Sequence, residues 1–98
     1  MMILSLVRDY HNQHAIAKSG GWNIADAVKR SYDVEGMHIG TVAAGRIGLD
    51  ALRKTKPFDT HLHYFDRHRL PDSVEKELNL TYHEDLDSML KICDVVTN

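Results

Sequence analysis

A single cysteine (Cys93), two prolines and one tryptophan are all that these 98 residues hold of three residue types that often dictate small folds. One thiol cannot close an internal disulfide, which excludes a disulfide-stapled secreted scaffold and points to a reducing compartment, with the cytoplasm as the expected location. Positive charge is not in excess. The 12 Lys and Arg are dispersed among 14 Asp and Glu, a net charge of −2, so no nucleic-acid partner is expected. Apolar runs are short: the opening MMILSLV falls well below the roughly 20 residues of a membrane-spanning helix. It also lacks the cationic segment and small-residue cleavage site of a signal peptide, so no membrane association is expected. There are no internal repeats or low-complexity tracts.

What remains is an ordinary globular composition, 43% hydrophobic and 27% charged. A chain of this length buries about 60% to 70% of its unfolded surface, enough for one core. A cofactor domain plus a separate substrate domain would not fit.

Helical spacing of Ile3, Leu4, Leu6, Val7, Tyr10 and Ile16 predicts one long helix from Met2 to Lys18, stopped by Gly20-Gly21. It starts on its most apolar stretch, which reads as an internal segment and not as a natural terminus. A polar connector with Trp22, Tyr32 and Asp33 follows, the two aromatic rings being expected to anchor it. Met37 to Gly45 is a β-prone run entering a tight turn. Arg46 to Lys54 is helical through Ile47, Leu49 and Leu52, and Pro57 ends it. His61 to Asp66 reads as a second strand. Pro71 opens a helix reaching about Leu78, then come a short strand at Leu80–His83, a helix at Asp85–Lys91 and a last strand at Cys93–Thr97. The alternation predicts an α/β fold with a parallel sheet flanked by helices and right-handed crossovers.

Between the first strand and its helix stands Ala43-Ala44-Gly45-Arg46-Ile47-Gly48, a G-x-G-x-x-G fingerprint with alanine in the first place. Position 43 needs a small residue for the turn. Gly45 lets the backbone approach a pyrophosphate, Gly48 lets the helix lie close on the strand, and the amides of Arg46 and Ile47 face outward at a positive helix end. The spacing alone is weak, since two glycines three apart arise often by chance. Its context is stronger: Asp66 ends the next strand eighteen residues after Gly48, where such folds place the acid that accepts hydrogen bonds from the adenosine ribose. A carboxylate there repels a 2′-phosphate and favours NAD over NADP, with neighbouring Arg67 partly offsetting the repulsion.

The strings GGWNIAD, AAGRIG, KPFD, YFDRHRLP and CDVVTN resemble the coenzyme-binding domain of the NAD-dependent formate dehydrogenase branch of the D-2-hydroxyacid dehydrogenase family. The resemblance covers nearly the whole chain. It implies a Rossmann-type open parallel sheet of about four strands in the order 3-2-1-4 with flanking helices, divided into residues 1–34, a helix and connector joining domains, and residues 35–98, a partial NAD-binding domain. It implies NAD as cofactor, Arg46 and Ile47 at the pyrophosphate, Asp66 at the ribose, Arg67 and His68 flanking the adenine side, and Thr97 and Asn98 opening the loop over the nicotinamide. It further implies formate as substrate and a homodimer for a full-length enzyme. That family holds formate with an arginine, an asparagine and a histidine, none of which this chain matches, so it should carry no catalytic residue and have no activity alone. Another D-2-hydroxyacid dehydrogenase and a non-catalytic nucleotide-sensing module are the alternatives.

Plainer roles suit the rest. Seven histidines invite a metal site, above all His61 with His63 and His11 with His14, yet no third ligand follows at a suitable spacing, and none is expected. Cys93 is expected to pack, and Arg67 to Arg69 to form a solvated loop.

Overall fold

The computed structural model describes residues 1–22 and 24–98; Asn23, within the GGWNIAD string, lies outside the described residues. The chain divides into two compact units, Met1–Val34 and Glu35–Asn98.

The first unit holds α1 (Met2–Val7), α2 (Tyr10–Lys18) and α3 (Ile24–Arg30). The single helix expected from Met2 to Lys18 is broken at Asp9, whose backbone is left-handed with φ 52°. Aspartate tolerates this conformation because its short polar side chain bonds locally. Here the carboxylate accepts from Asn12 and Gln13 and lies 3.5 Å from the Arg30 guanidinium. Those partners hold its pKa below the usual range, the Asn12 bond contributing most. The connector is also more ordered than its composition suggests. Its seven-residue helix α3 is closed by an Asp26–Arg30 pair one turn apart, and is too short for periodicity to reveal. Trp22 and Tyr32 do not anchor it: both are exposed, Trp22 at 86%.

The second unit is a four-stranded, all-parallel sheet in the order β3-β2-β1-β4, built from β1 (His38–Val42), β2 (His61–Phe65), β3 (Thr81–His83) and β4 (Val95–Thr97). The expected fold class and strand order hold. Helix α4 (Arg46–Thr55) links β1 to β2 and runs into a 3₁₀ turn at Lys56–Phe58, with Pro57 ending the α-helical bonding. Helix α5 (Asp72–Leu78) follows Pro71, which precedes the helix as its N-cap. Helix α6 (Leu86–Ile92) is capped by Asp85, whose carboxylate accepts the Ser88 N–H at 2.9 Å.

Alternation along the strands sorts the core into two layers. Ile39 and Thr41 pair in register with Leu62 and Tyr64 on one face, all of them buried, with Leu52 of α4 and Leu78 of α5 completing the layer. The other face carries Gly40 and His63, and α6 closes over it so tightly that a Cβ on Gly40 would stand 2.7 Å from Cys93 Sγ and 3.1 Å from Met89 Sδ. Cys93 therefore packs, as expected, and burial together with nearby Asp94 keeps it a protonated thiol by raising its pKa.

Candidate nucleotide-binding site

Strand β1 lies between β2 and β4, so the chain leaves its carboxyl end at the point where the strand order reverses, which is where open α/β sheets bind ligands. A cleft of about 450 Å³ opens there, lined by the turn Ala43 to Gly48, the end of β1 and the β4 residues Thr97 and Asn98.

The turn is assembled from both sides. Ala43 takes a left-handed conformation with φ 73°, a strain of roughly 1–2 kcal/mol for a residue with a Cβ. Two bonds hold it: its N–H donates to Phe65 O at 2.8 Å, and the Thr41 hydroxyl donates to its carbonyl at 3.0 Å. The two glycines do different work. A Cβ on Gly45 would meet nothing within 4 Å, so the space there is empty and accessible to a ligand. One on Gly48 would sit 2.3 Å from Ala43 O and 2.8 Å from Thr41 Oγ1, so Gly48 is fixed by packing of α4 on β1. The first bond of α4 runs from Leu49 N–H to Gly45 O, which leaves the preceding amides of Arg46 and Ile47 without an acceptor inside the helix. No side chain caps this end. Ile47 is 88% exposed and lines the cleft, while of Ile47, Leu49 and Leu52 only Leu52 is fully buried.

Asp66 follows β2 directly. Its Oδ2 accepts the Ala44 N–H at 2.8 Å and its Oδ1 accepts the His68 N–H at 3.1 Å. The Ala44 bond is the main reason its pKa is lowered, so the carboxylate is charged near neutrality with lone pairs to spare for further donors. Asp66 is not among the residues that line the cleft. A positive helix end, two outward amides, an open approach over Gly45 and a fixed carboxylate make an arrangement suited to a pyrophosphate joined to a ribose.

Arg67 and His68 are exposed beside Asp66. Arg69 is not part of a merely solvated loop. Its guanidinium bonds both oxygens of Glu75 at 2.9 and 3.1 Å and covers the Tyr82 ring at 5.2 Å. Tyr64, fully buried, donates to the same Glu75 at 2.5 Å and accepts the Leu70 N–H at 2.9 Å. The Arg69–Glu75–Tyr64 group thus sets the course of the chain after Asp66, and sequence reasoning missed it. So did it miss Thr41, whose role depends on the neighbouring turn. Among the described residues no group of three or more His, Cys, Asp or Glu could hold a metal ion, and no helix is long and apolar enough to cross a membrane.

The model of the D-isomer-specific 2-hydroxyacid dehydrogenase NAD-binding domain matches residues 1–98. The chain belongs to this family. As an NAD-binding domain of D-2-hydroxyacid dehydrogenases, it takes NAD as its cofactor, and the open backbone at Gly45 with the anionic Asp66 across the turn fits that group. It is 67% identical over 97 residues to a formate dehydrogenase of Pseudomonas sp. (strain 101) and 47% identical over 96 residues to the mitochondrial formate dehydrogenase 2 of Oryza sativa subsp. japonica. These alignments cover 99% and 98% of this chain but only 24% and 25% of the relatives, so the chain spans about a quarter of their length. A solved formate dehydrogenase of Granulicella M. superposes with a TM-score of 0.95 at 64% identity, covering 98% of this chain and 26% of that one.

Proposed function

We propose that this chain is the adenosine- and pyrophosphate-holding segment of an NAD-dependent formate dehydrogenase. In the complete reaction NAD accepts the hydride of formate, which leaves as carbon dioxide. The work of these residues is binding and orientation. The amides of Arg46 and Ile47 donate to the pyrophosphate at the positive end of α4, Ala43 shapes the turn, Gly45 leaves room for the phosphates, and Gly48 seats the helix. Asp66 accepts from the ribose hydroxyls, with Arg67 at the adenine side. The observation that carries the reading is the 2.8 Å bond from Ala44 N–H to Asp66, which ties the carboxylate to the glycine turn and supports their acting on one ligand. Identity of 67% to a formate dehydrogenase across the segment supports the substrate assignment.

No residue here is assigned to the chemistry of formate, and the chain by itself is inactive in this reading. The full-length enzyme is a cytoplasmic homodimer in the same reading. Exposed Met2, Leu6, Trp22, Ile24 and Val28 in the first unit support a covering subunit, and the single free thiol supports a reducing compartment. The test is turnover by the full-length enzyme with formate, glyoxylate and hydroxypyruvate, alongside NAD titration calorimetry. Formate oxidation is expected. Turnover of a hydroxy or keto acid in its place would assign the chain to another branch, and NAD binding without turnover would make it a sensing module.

A further inference from the structure

Three histidines on three adjacent strands are joined ring to ring. His38 Nδ1 lies 2.8 Å from His63 Nε2, and His63 Nδ1 lies 2.9 Å from His83 Nε2. His83 Nδ1 then meets Ser88 Oγ at 3.2 Å, and Ser88 Oγ donates to the Asp85 carbonyl at 2.7 Å. The row crosses the sheet beneath α6 and ends inside that helix's first turn. His63 and His83 are buried.

The direction of this row follows from its last member. A carbonyl only accepts, so with the Ser88 hydroxyl proton on the shorter bond to Asp85 O, Ser88 Oγ accepts from His83 Nδ1–H. His83 Nε2 is then bare and accepts from His63 Nδ1–H, and His63 Nε2 in turn accepts from His38 Nδ1–H. In this direction each link puts a proton on Nδ1 of its ring, the minor tautomer of free imidazole. A proton can be added at His38 Nε2 without breaking a link. One added to His63 or His83 sets two N–H groups face to face.

We propose that His38, His63 and His83 form a one-directional chain of neutral imidazoles that latches α6 to the sheet and opens on acidification. The groups around His63 favour its neutral state. His61 stacks on His38 at 4.6 Å between ring centroids, and Asp94, at the base of β4, accepts the His38 backbone N–H and not its ring. From α6 and its approach, Glu84, Asp85, Asp87 and Lys91 are exposed, and Cys93 is a protonated thiol. Burial, followed by His83, His38 and His61, holds the His63 pKa down at about 4. An unfolded histidine titrates near 6.5, so the unfolded chain binds the extra proton first. The latch is therefore fully effective above about pH 6.5 and is lost as pH falls toward 4.

Nitrogen-15 NMR of the histidine-labelled protein, with amide exchange followed from pH 7 to 4, tests this. Expected are protonated Nδ1 and bare Nε2 on all three rings at pH 7, and a His63 that is still neutral at pH 5. Relative to intrinsic rates, α6 amides should lose at least about tenfold protection before those of α4, which does not touch the chain. Ser88→Ala should shift the ring nitrogens of His63 and His38, neither of which touches residue 88. Nε2–H tautomers, a His63 midpoint near 6.5, or α6 and α4 opening together would each overturn the proposal. The unmodified protein suffices for all three should Ser88→Ala fail to fold.

Discussion

The Asp66 carboxylate accepts the Ala44 backbone N–H at 2.8 Å, so the acid that ends one strand braces the turn that ends its neighbour. A second bond, from His68 N–H at 3.1 Å, fixes the other oxygen. A change at Asp66 therefore acts on two subsites at once. Asp66→Ala in the full-length enzyme should remove a charge-assisted bond worth roughly 1.5–3 kcal/mol, weakening NAD about 10- to 150-fold by calorimetry and narrowing the gap to NADP. Asp66→Asn keeps an acceptor for Ala44 but loses the charge, and its loss of NAD affinity should be smaller. Equal affinity in Asp66→Ala and the parent would remove the residue from the site.

The two glycines of the turn should separate binding from folding. At Gly45 a methyl group meets open space, whereas at Gly48 it lies 2.3 Å from a backbone oxygen. Gly45→Ala should keep the melting temperature within a few degrees and lose most NAD binding. Gly48→Ala should lower stability by about 1–3 kcal/mol, the usual range for an overpacked site, seen in a denaturant titration. The reverse pattern would show that the roles have been exchanged.

Ala43→Gly sets two effects of similar size against each other. Relief of the left-handed strain returns roughly 1–2 kcal/mol, and the greater freedom of glycine in the unfolded chain takes back about 0.4–1 kcal/mol. Since φ is 73° at this position, relief wins, and urea unfolding should show a net gain of up to about 1.5 kcal/mol. A loss above about 1 kcal/mol would mean that the Ala43 methyl group packs.

Tyr64 governs an alkaline limit. Burial and the bond to Glu75 push its pKa up to about 12 against an ordinary 10. The folded pKa exceeds the unfolded one, so the stabilisation is complete below about pH 10 and is lost as pH rises toward 12. Tyr64→Phe should remove that alkaline loss. At neutral pH it should cost about 1–3 kcal/mol, because the Leu70 N–H and the Glu75 carboxylate both lose a partner. A variant with unchanged stability at pH 7 and the same alkaline midpoint would contradict this.

What could be read along the chain is what depends on near neighbours. The alternation of β-prone and helical runs identified the parallel sheet, the family resemblance its strand order, and Ala43, Gly45, Gly48 and Asp66 were recognisable because a turn and a strand end have local spacing. The break at Asp9 was not recognisable, since it depends on Arg30 coming back to the carboxylate from twenty-one residues away. Helix α3 was hidden because two turns give too little periodicity.

The sequence by itself determined the class of fold, the glycine turn and the acid beside it, because hydrophobic period and glycine placement act over a few residues. Only the tertiary structure decided which partners those residues take. Gly45 and Gly48 look alike in sequence, but one faces open space and the other a carbonyl. The seven histidines gave no metal spacing, yet three of them meet because strands distant along the chain lie side by side in register. Parallel pairing brings together residues eighteen or more positions apart, and no local pattern encodes which atoms will then be within bonding distance.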